Sequence, residues 1–166
     1  NSKPIETARE EDVALVLHTS GTTSRPKIVP LTHANLCASA LNIARSLELS
    51  PHDRCLNIMP LFHVHGLMAA VVGSLTAGGS VICTSGLNPG EVLDWLTSLE
   101  PTWLTAVPTM LQTILEKANQ DPERVAQTKL RFLRACSSAL PPQVAIKLEA
   151  TFNVPVLEAY GMTEAS

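Results

Sequence analysis

The sequence predicts an α/β protein, a mostly parallel, doubly wound sheet with helices on both faces. Three observations predict it. Short apolar runs alternate with segments of helical periodicity almost throughout the 166 residues. Gly, Pro and Asn-Pro steps mark the changes between them. Repeated β-then-α order along one chain favours parallel pairing through crossover helices.

The first strand is predicted over residues 13–17, Val-Ala-Leu-Val-Leu, and a second short extended segment over 27–31. The polar loop between them joins two strands, as in a hairpin. Thr32 is placed to cap a helix in which Leu36, Ala40, Ile43 and Leu47 recur at helical spacing. Pro51 and Asp53 mark a turn before a strand over 55–59 that ends at Pro60. Residues 66–77 read as a helix stopped by Gly78-Gly79, and 80–84 as a strand. Asn88-Pro89 opens a helix carrying Val92, Leu96 and Leu99. A strand over 103–107 leads to Pro108, which starts a helix through about residue 118. Residues 119–129 are a polar connection, 130–136 a strand, 141–150 a helix and 155–159 a final strand. In such sheets ligands gather at the carboxyl ends of strands. The loop after residue 17, Ser137-Ser138 and Tyr160-Gly161 are all expected there.

Composition narrows the function classes. Hydrophobic residues make up 45% and charged residues 16%, which suits a folded domain with a substantial core. A net charge of −3, with no run of Lys or Arg, argues against a nucleic-acid surface. Cys37, Cys55, Cys83 and Cys136 form no C-x-x-C pair, and each adjoins apolar sequence. Reduced, buried thiols and an intracellular compartment are expected. No signal peptide and no run long enough to span a bilayer occur in these residues. The chain starts without Met and stops directly after a motif-like stretch, so a fragment is expected.

Residues 18–27, His-Thr-Ser-Gly-Thr-Thr-Ser-Arg-Pro-Lys, concentrate hydroxyls, one glycine and two cations in ten positions. Phosphate oxygens only accept hydrogen bonds and carry negative charge, so this is an inventory for holding a polyphosphate. It is not the common P-loop, because Lys27 follows Pro26 and leads into an extended segment instead of a helix. A second constellation, Tyr160-Gly161-Met162-Thr163-Glu164, follows the last strand. Its ring suits a purine face, its hydroxyl a phosphate and its carboxylate a hard cation such as Mg²⁺. The plain alternative is a Tyr covering the core edge and a Glu in solvent.

Together these stretches resemble the adenylate-forming superfamily of acyl-CoA synthetases, luciferases and adenylation domains. Residues 19–27 are similar to its Thr-Ser-Gly-Thr-Thr-Gly-x-Pro-Lys-Gly loop, and residues 160–164 match its Tyr-Gly-x-Thr-Glu signature. Pro60-Leu61-Phe62-His63, Val107-Pro108-Thr109 and Cys136-Ser137-Ser138-Ala139-Leu140 resemble further family segments in the same order. The resemblance implies that a carboxylate attacks the α-phosphate of ATP, and that a thiol, usually coenzyme A, then displaces AMP. It implies that Thr19, Ser20, Gly21, Thr22, Thr23 and Lys27 embrace the outer phosphates. Ser138, Ala139, Tyr160, Gly161 and Met162 would border the nucleotide, with Met162 in a variable, packing position. Thr163 and Glu164 would be the catalytic residues, Glu164 also binding Mg²⁺. His63 and Ser137, with Ser138, would line the acyl-substrate pocket.

Two departures bear on this. Ser24 and Ile28 replace glycines of the family loop, and Ser137-Ser138 replaces the Gly-Gly beside the acyl pocket. Two hydroxyls there shrink and polarise the wall, and a second carboxylate gains hydrogen bonds from them where an alkyl chain gains none. Thr-Ser-Arg-Pro-Lys with Cys-Ser-Ser-Ala also resembles the oxalyl-CoA synthetase branch, which implies a small polar acid such as oxalate. The rivals are a fatty-acyl-CoA or fatty-acyl-AMP ligase and a non-catalytic nucleotide-binding module. The resemblance implies the central part of a large N-terminal AMP-binding domain, inactive by itself. A cytoplasmic location is expected, or a peroxisomal one where a C-terminal signal follows. His63-Val64-His65 lacks a third metal ligand at convincing spacing, and His65 reads as structural. Arg131 and Arg134 read as surface residues.

Overall fold

Residue periodicity and turn chemistry account for nearly every element of the computed structural model, which describes residues 7–19 and 26–165. Strands β1 (Val13–Thr19) and β2 (Lys27–Thr32) pair antiparallel, with Val13 opposite Thr32 at one end and Thr19 opposite Lys27 at the other. They form a two-stranded sheet of their own. Strand β1 is therefore not one of the strands of the main parallel sheet. Ser20, Gly21, Thr22 and Thr23 fall outside the described residues.

Helix α1 (His33–Ser46) begins as its sequence dictates. Thr32 Oγ1 accepts from the Asn35 N–H, and the Asn35 side chain accepts from the Thr32 N–H. Such a reciprocal cap is worth about 1 kcal/mol.

The main sheet contains β3 (Arg54–Asn57), β4 (Ser80–Cys83), β5 (Trp103–Ala106), β6 (Phe132–Cys136) and β7 (Val156–Ala159). Its spatial order is β4-β3-β5-β6-β7, and every pair is parallel. Helices α3 (Val92–Ser98), α4 (Pro108–Gln120), α5 (Pro122–Val125) and α6 (Pro142–Phe152) cover one face, sealing Leu56, Leu104, Leu133 and Ala135. On the other face Cys55, Trp103 and Phe132 pack with Ala70. Trp103 and Phe132 stack there with ring centroids 5.3 Å apart. Helices on both faces are thus observed.

Several details differ from the sequence reading. The stretch 119–129 contains the short helix α5, capped by the Asp121 carboxylate accepting from the Arg124 N–H. The helix expected over 66–77 is a widened π-helical segment, His65–Val72, followed by α2 (Gly73–Thr76). Widened turns of this kind concentrate near functional sites. Cys55 and Cys136 are buried, but Cys37 and Cys83 are exposed. Cys37 lies on α1 and Cys83 ends the edge strand β4, places that apolar neighbours in sequence do not protect. All four thiols are free. Among the described residues no helix is long and apolar enough to cross a membrane.

Gly66 is fixed by close approach. A Cβ there would sit 2.5 Å from the Pro60 carbonyl oxygen and 2.9 Å from that of Met59. Both contacts are backbone of the one segment Met59-Pro60, which leaves little room to yield. Gly66→Ala is expected to cost about 1–3 kcal/mol, the range for overpacking a core. Thermal melting checks this, and an unchanged melting temperature would show that the two carbonyls move aside.

Candidate functional site

Parallel strands release their following loops on one side, so residues far apart in sequence meet at the carboxyl edge. A cavity of about 620 Å³ gathers them here. Pro60 and His63 come from the loop after β3, Val107 from the end of β5, Ser137 from β6, and Met162 and Thr163 from beyond β7. A smaller cavity of about 210 Å³ shares His65, Ser137, Gly161 and Met162 with it and reaches inward to Arg134. A third, of about 260 Å³, lies between Ser138, Ala139 and Tyr160.

Tyr160 is 92% exposed, so its ring is an open face and not a lid on the core. Thr163 and Glu164 lie on a 3₁₀ turn, Thr163–Ala165, which rests against β2. The hairpin that carries Thr19 and Lys27 therefore touches the segment that carries Thr163 and Glu164. Glu164 is exposed. The loop after β6 is pinned by a residue the sequence reading missed. The Glu158 carboxylate accepts from the Leu140 N–H at 2.9 Å, tying that loop to β7.

Ser137 and Ser138 play different parts. Ser138 is exposed and bonds to no side chain among the described residues, whereas Ser137 is locked. Ser137 holds φ at 76°, the left-handed region that costs an ordinary side chain about 1–3 kcal/mol. Its Oγ lies 3.0 Å from His65 Nδ1, and His65 Nε2 lies 2.6 Å from Thr105 Oγ1. Thr105 Oγ1 also accepts from Arg134 Nη1 at 3.2 Å. A guanidinium only donates, and the arrangement in which the Thr105 proton goes to His65 Nε2 gives every group in the line a partner. That assignment leaves the imidazole proton on Nδ1, donating to Ser137, and frees the Ser137 O–H to donate into the cavity.

Arg134 is the largest departure from the sequence reading, which left it on the surface. It is 8% exposed, opposite Thr105 in the β5–β6 register. Phe132, two residues before it, and Cys136, two residues after, share its face, and that period-two pattern was the available signal. Burial draws the guanidinium below its ordinary range, with the neighbouring Cys136 thiol opposing. Arg131 instead bridges to Asp53 at 3.0 Å at the far end of the sheet.

His65 is 5% exposed, and its pKa is lowered to about 4, first by burial and then by the Arg134 charge and by His63. It is neutral near pH 7. His63 is exposed, its ring 4.5 Å from that of Phe62, and it lines the larger cavity. Among the described residues no group of three or more His, Cys, Asp or Glu is placed to hold a metal.

The pKa of His65 has a consequence for stability. Between its ordinary value of 6.5 and about 4 the unfolded chain binds the proton that the folded chain excludes. Stability from this group is complete above pH 6.5 and falls with pH to about 4, by at most about 1.4 kcal/mol per pH unit. Melting curves of wild type and His65→Gln across this window check it. Parallel slopes in both proteins would refute the role of His65.

Comparison with known proteins adds the family. The model of the AMP-binding enzyme family matches residues 1–166. An oxalate–CoA ligase of Saccharomyces cerevisiae is 46% identical over 169 residues, covering 100% of this chain and 30% of that protein. One from Arabidopsis thaliana is 47% identical over 158 residues, covering 94% and 30%. A malonyl-CoA ligase, in a ternary product complex with methylmalonyl-CoA and AMP, superposes with a TM-score of 0.86 at 35% identity, covering 97% of this chain and 35% of that one. The chain thus spans about 30% of the length of the curated relatives it matches.

Proposed function

This chain belongs to the AMP-binding enzyme family, and on that premise we propose that it forms the nucleotide- and acid-binding part of a longer ligase. That ligase joins a small polar acid, oxalate in the first instance, to coenzyme A at the expense of ATP. The observation that carries the reading is the convergence of the Ser137, Tyr160 and Thr163 segments on adjoining cavities, with the hairpin carrying Thr19 and Lys27 against the same turn.

The division of labour follows from the side chains. Thr19 and Lys27, with Ser20, Gly21, Thr22 and Thr23, hold the outer phosphates. Tyr160, Gly161, Ser138 and Ala139 border the adenine, with Met162 packing beside them, and Thr163 donates to the α-phosphate. The acid enters beside His63 and Ser137, one carboxylate oxygen facing the α-phosphorus. Attack there expels pyrophosphate, and a thiol then displaces AMP from the acyl-adenylate. Oriented donors are worth most where charge develops on phosphate oxygens. Glu164 is the carboxylate that would hold a Mg²⁺ beside the phosphates. Bound there, the ion would neutralise phosphate charge.

Pyrophosphate release by the full-length ligase, with ATP, Mg²⁺ and coenzyme A, tests the substrate. Oxalate is expected to be turned over in preference to octanoate. The opposite order would make the protein a fatty-acyl ligase with the same nucleotide site. Glu164→Gln is expected to raise the Mg²⁺ concentration for half-maximal rate by about tenfold or more, the scale of one charged contact. An unchanged requirement would remove Glu164 from the cation site. The 166 residues alone are expected to release no pyrophosphate, and carboxylate-dependent turnover by them would overturn the proposed dependence on further chain.

A further inference from the structure

A doubly charged acid needs a counter-charge for its second carboxylate, and the cavities offer few candidates. Of the residues lining the two joined cavities, His65 is neutral near pH 7, and Arg134 is the only Arg or Lys. Arg134 lines the smaller cavity, about 210 Å³ in volume, together with His65, Ser137, Gly161 and Met162, and on its other side it borders a cavity of about 460 Å³ shared with Glu158. Its only hydrogen bond to an oxygen among the described residues is the one it donates to Thr105. None of the described ion pairs includes it. A guanidinium has five N–H donors, and a buried one without an anionic partner is costly. An anion arriving in the cavity relieves that cost and is held for the same reason.

We propose that Arg134 is the specificity residue that receives the distal carboxylate of the acid, with Ser137 donating its O–H to the same group. The proposal rests on the small-diacid reading above and names the charge that reading requires. It also explains why the chain Arg134–Thr105–His65–Ser137 spans the sheet edge. Arg134 supplies fixed charge at the inner end, and Thr105 and His65 orient a neutral donor at the outer end. A fatty acid would have to place alkyl carbon against this cation, so the same residue that attracts a second carboxylate repels a chain of methylenes.

Oxamate separates charge from shape, because its distal amide has nearly the size of a carboxylate and no charge. The full-length ligase is assayed for pyrophosphate release with oxalate and with oxamate, and the ratio of the two kcat/KM values is followed. Arg134→Gln is expected to lower that ratio by about 10- to 100-fold, the loss of one charge-assisted contact. Arg134→Lys keeps a point charge but loses the planar fork, and is expected to fall between wild type and Arg134→Gln. Parallel loss on both acids in Arg134→Gln would assign the guanidinium to packing and overturn the proposal, while leaving the oxalate reading intact. Wild-type preference for octanoate over oxalate would overturn both. If Arg134→Gln fails to fold, the Lys variant decides, since a ratio equal to wild type sinks the proposal.

Discussion

Burying β5 and β6 on both faces constrains everything those strands can carry. Leu104, Leu133 and Ala135 pack beneath the α3–α6 layer, and Trp103 and Phe132 fill the opposite face. A polar side chain introduced between such layers loses its water and must find every partner inside the protein. Thr105 meets that demand and Arg134 meets part of it as cross-strand neighbours, and His65 closes over them from the π-helical segment. At Ser137 the polar line reaches the larger cavity. Apolar burial thus favours the route these hydrogen bonds take, although one buried donor on β5, Trp103 Nε1, has no partner.

The same constraint explains the strained position of Ser137. A glycine would adopt φ of 76° with little cost, but a glycine has no hydroxyl to accept from His65. The penalty of a left-handed serine is about 1–3 kcal/mol, the same size as the cost of an unsatisfied buried imidazole N–H. The hydrogen bond offsets the strain. Glu158 supports the outcome from the neighbouring strand, holding the next turn by its hydrogen bond to Leu140.

What the sequence revealed follows the same division. Capping by Thr32, the pairing of residues 13–19 with 27–32, and Pro108 at a helix start are local events, governed by residues within a few positions of each other. The clustering of Ser137, Tyr160 and Thr163 was legible because parallel topology sends all their loops to one edge. Arg134 was not, since one arginine in an apolar run reads as the solvent side of a strand until both faces are known to be covered. Thr105 and Glu158 escaped for a related reason. Their partners lie 40 and 18 residues away, at His65 and Leu140, and no local pattern encodes such a pairing.

The neutrality of His65 completes the physical picture. If it ionised, two cations would share one small buried space, and the Nε2 that now accepts from Thr105 would become a second donor facing a hydroxyl proton. Burial and the Arg134 charge both act against that state. The imidazole is therefore a directional element whose tautomer is set from behind, and the arginine is the element that carries charge. Separating direction from charge lets one short polar chain combine a fixed cation with a pointed hydroxyl. A carboxylate held in plane by two groups needs both.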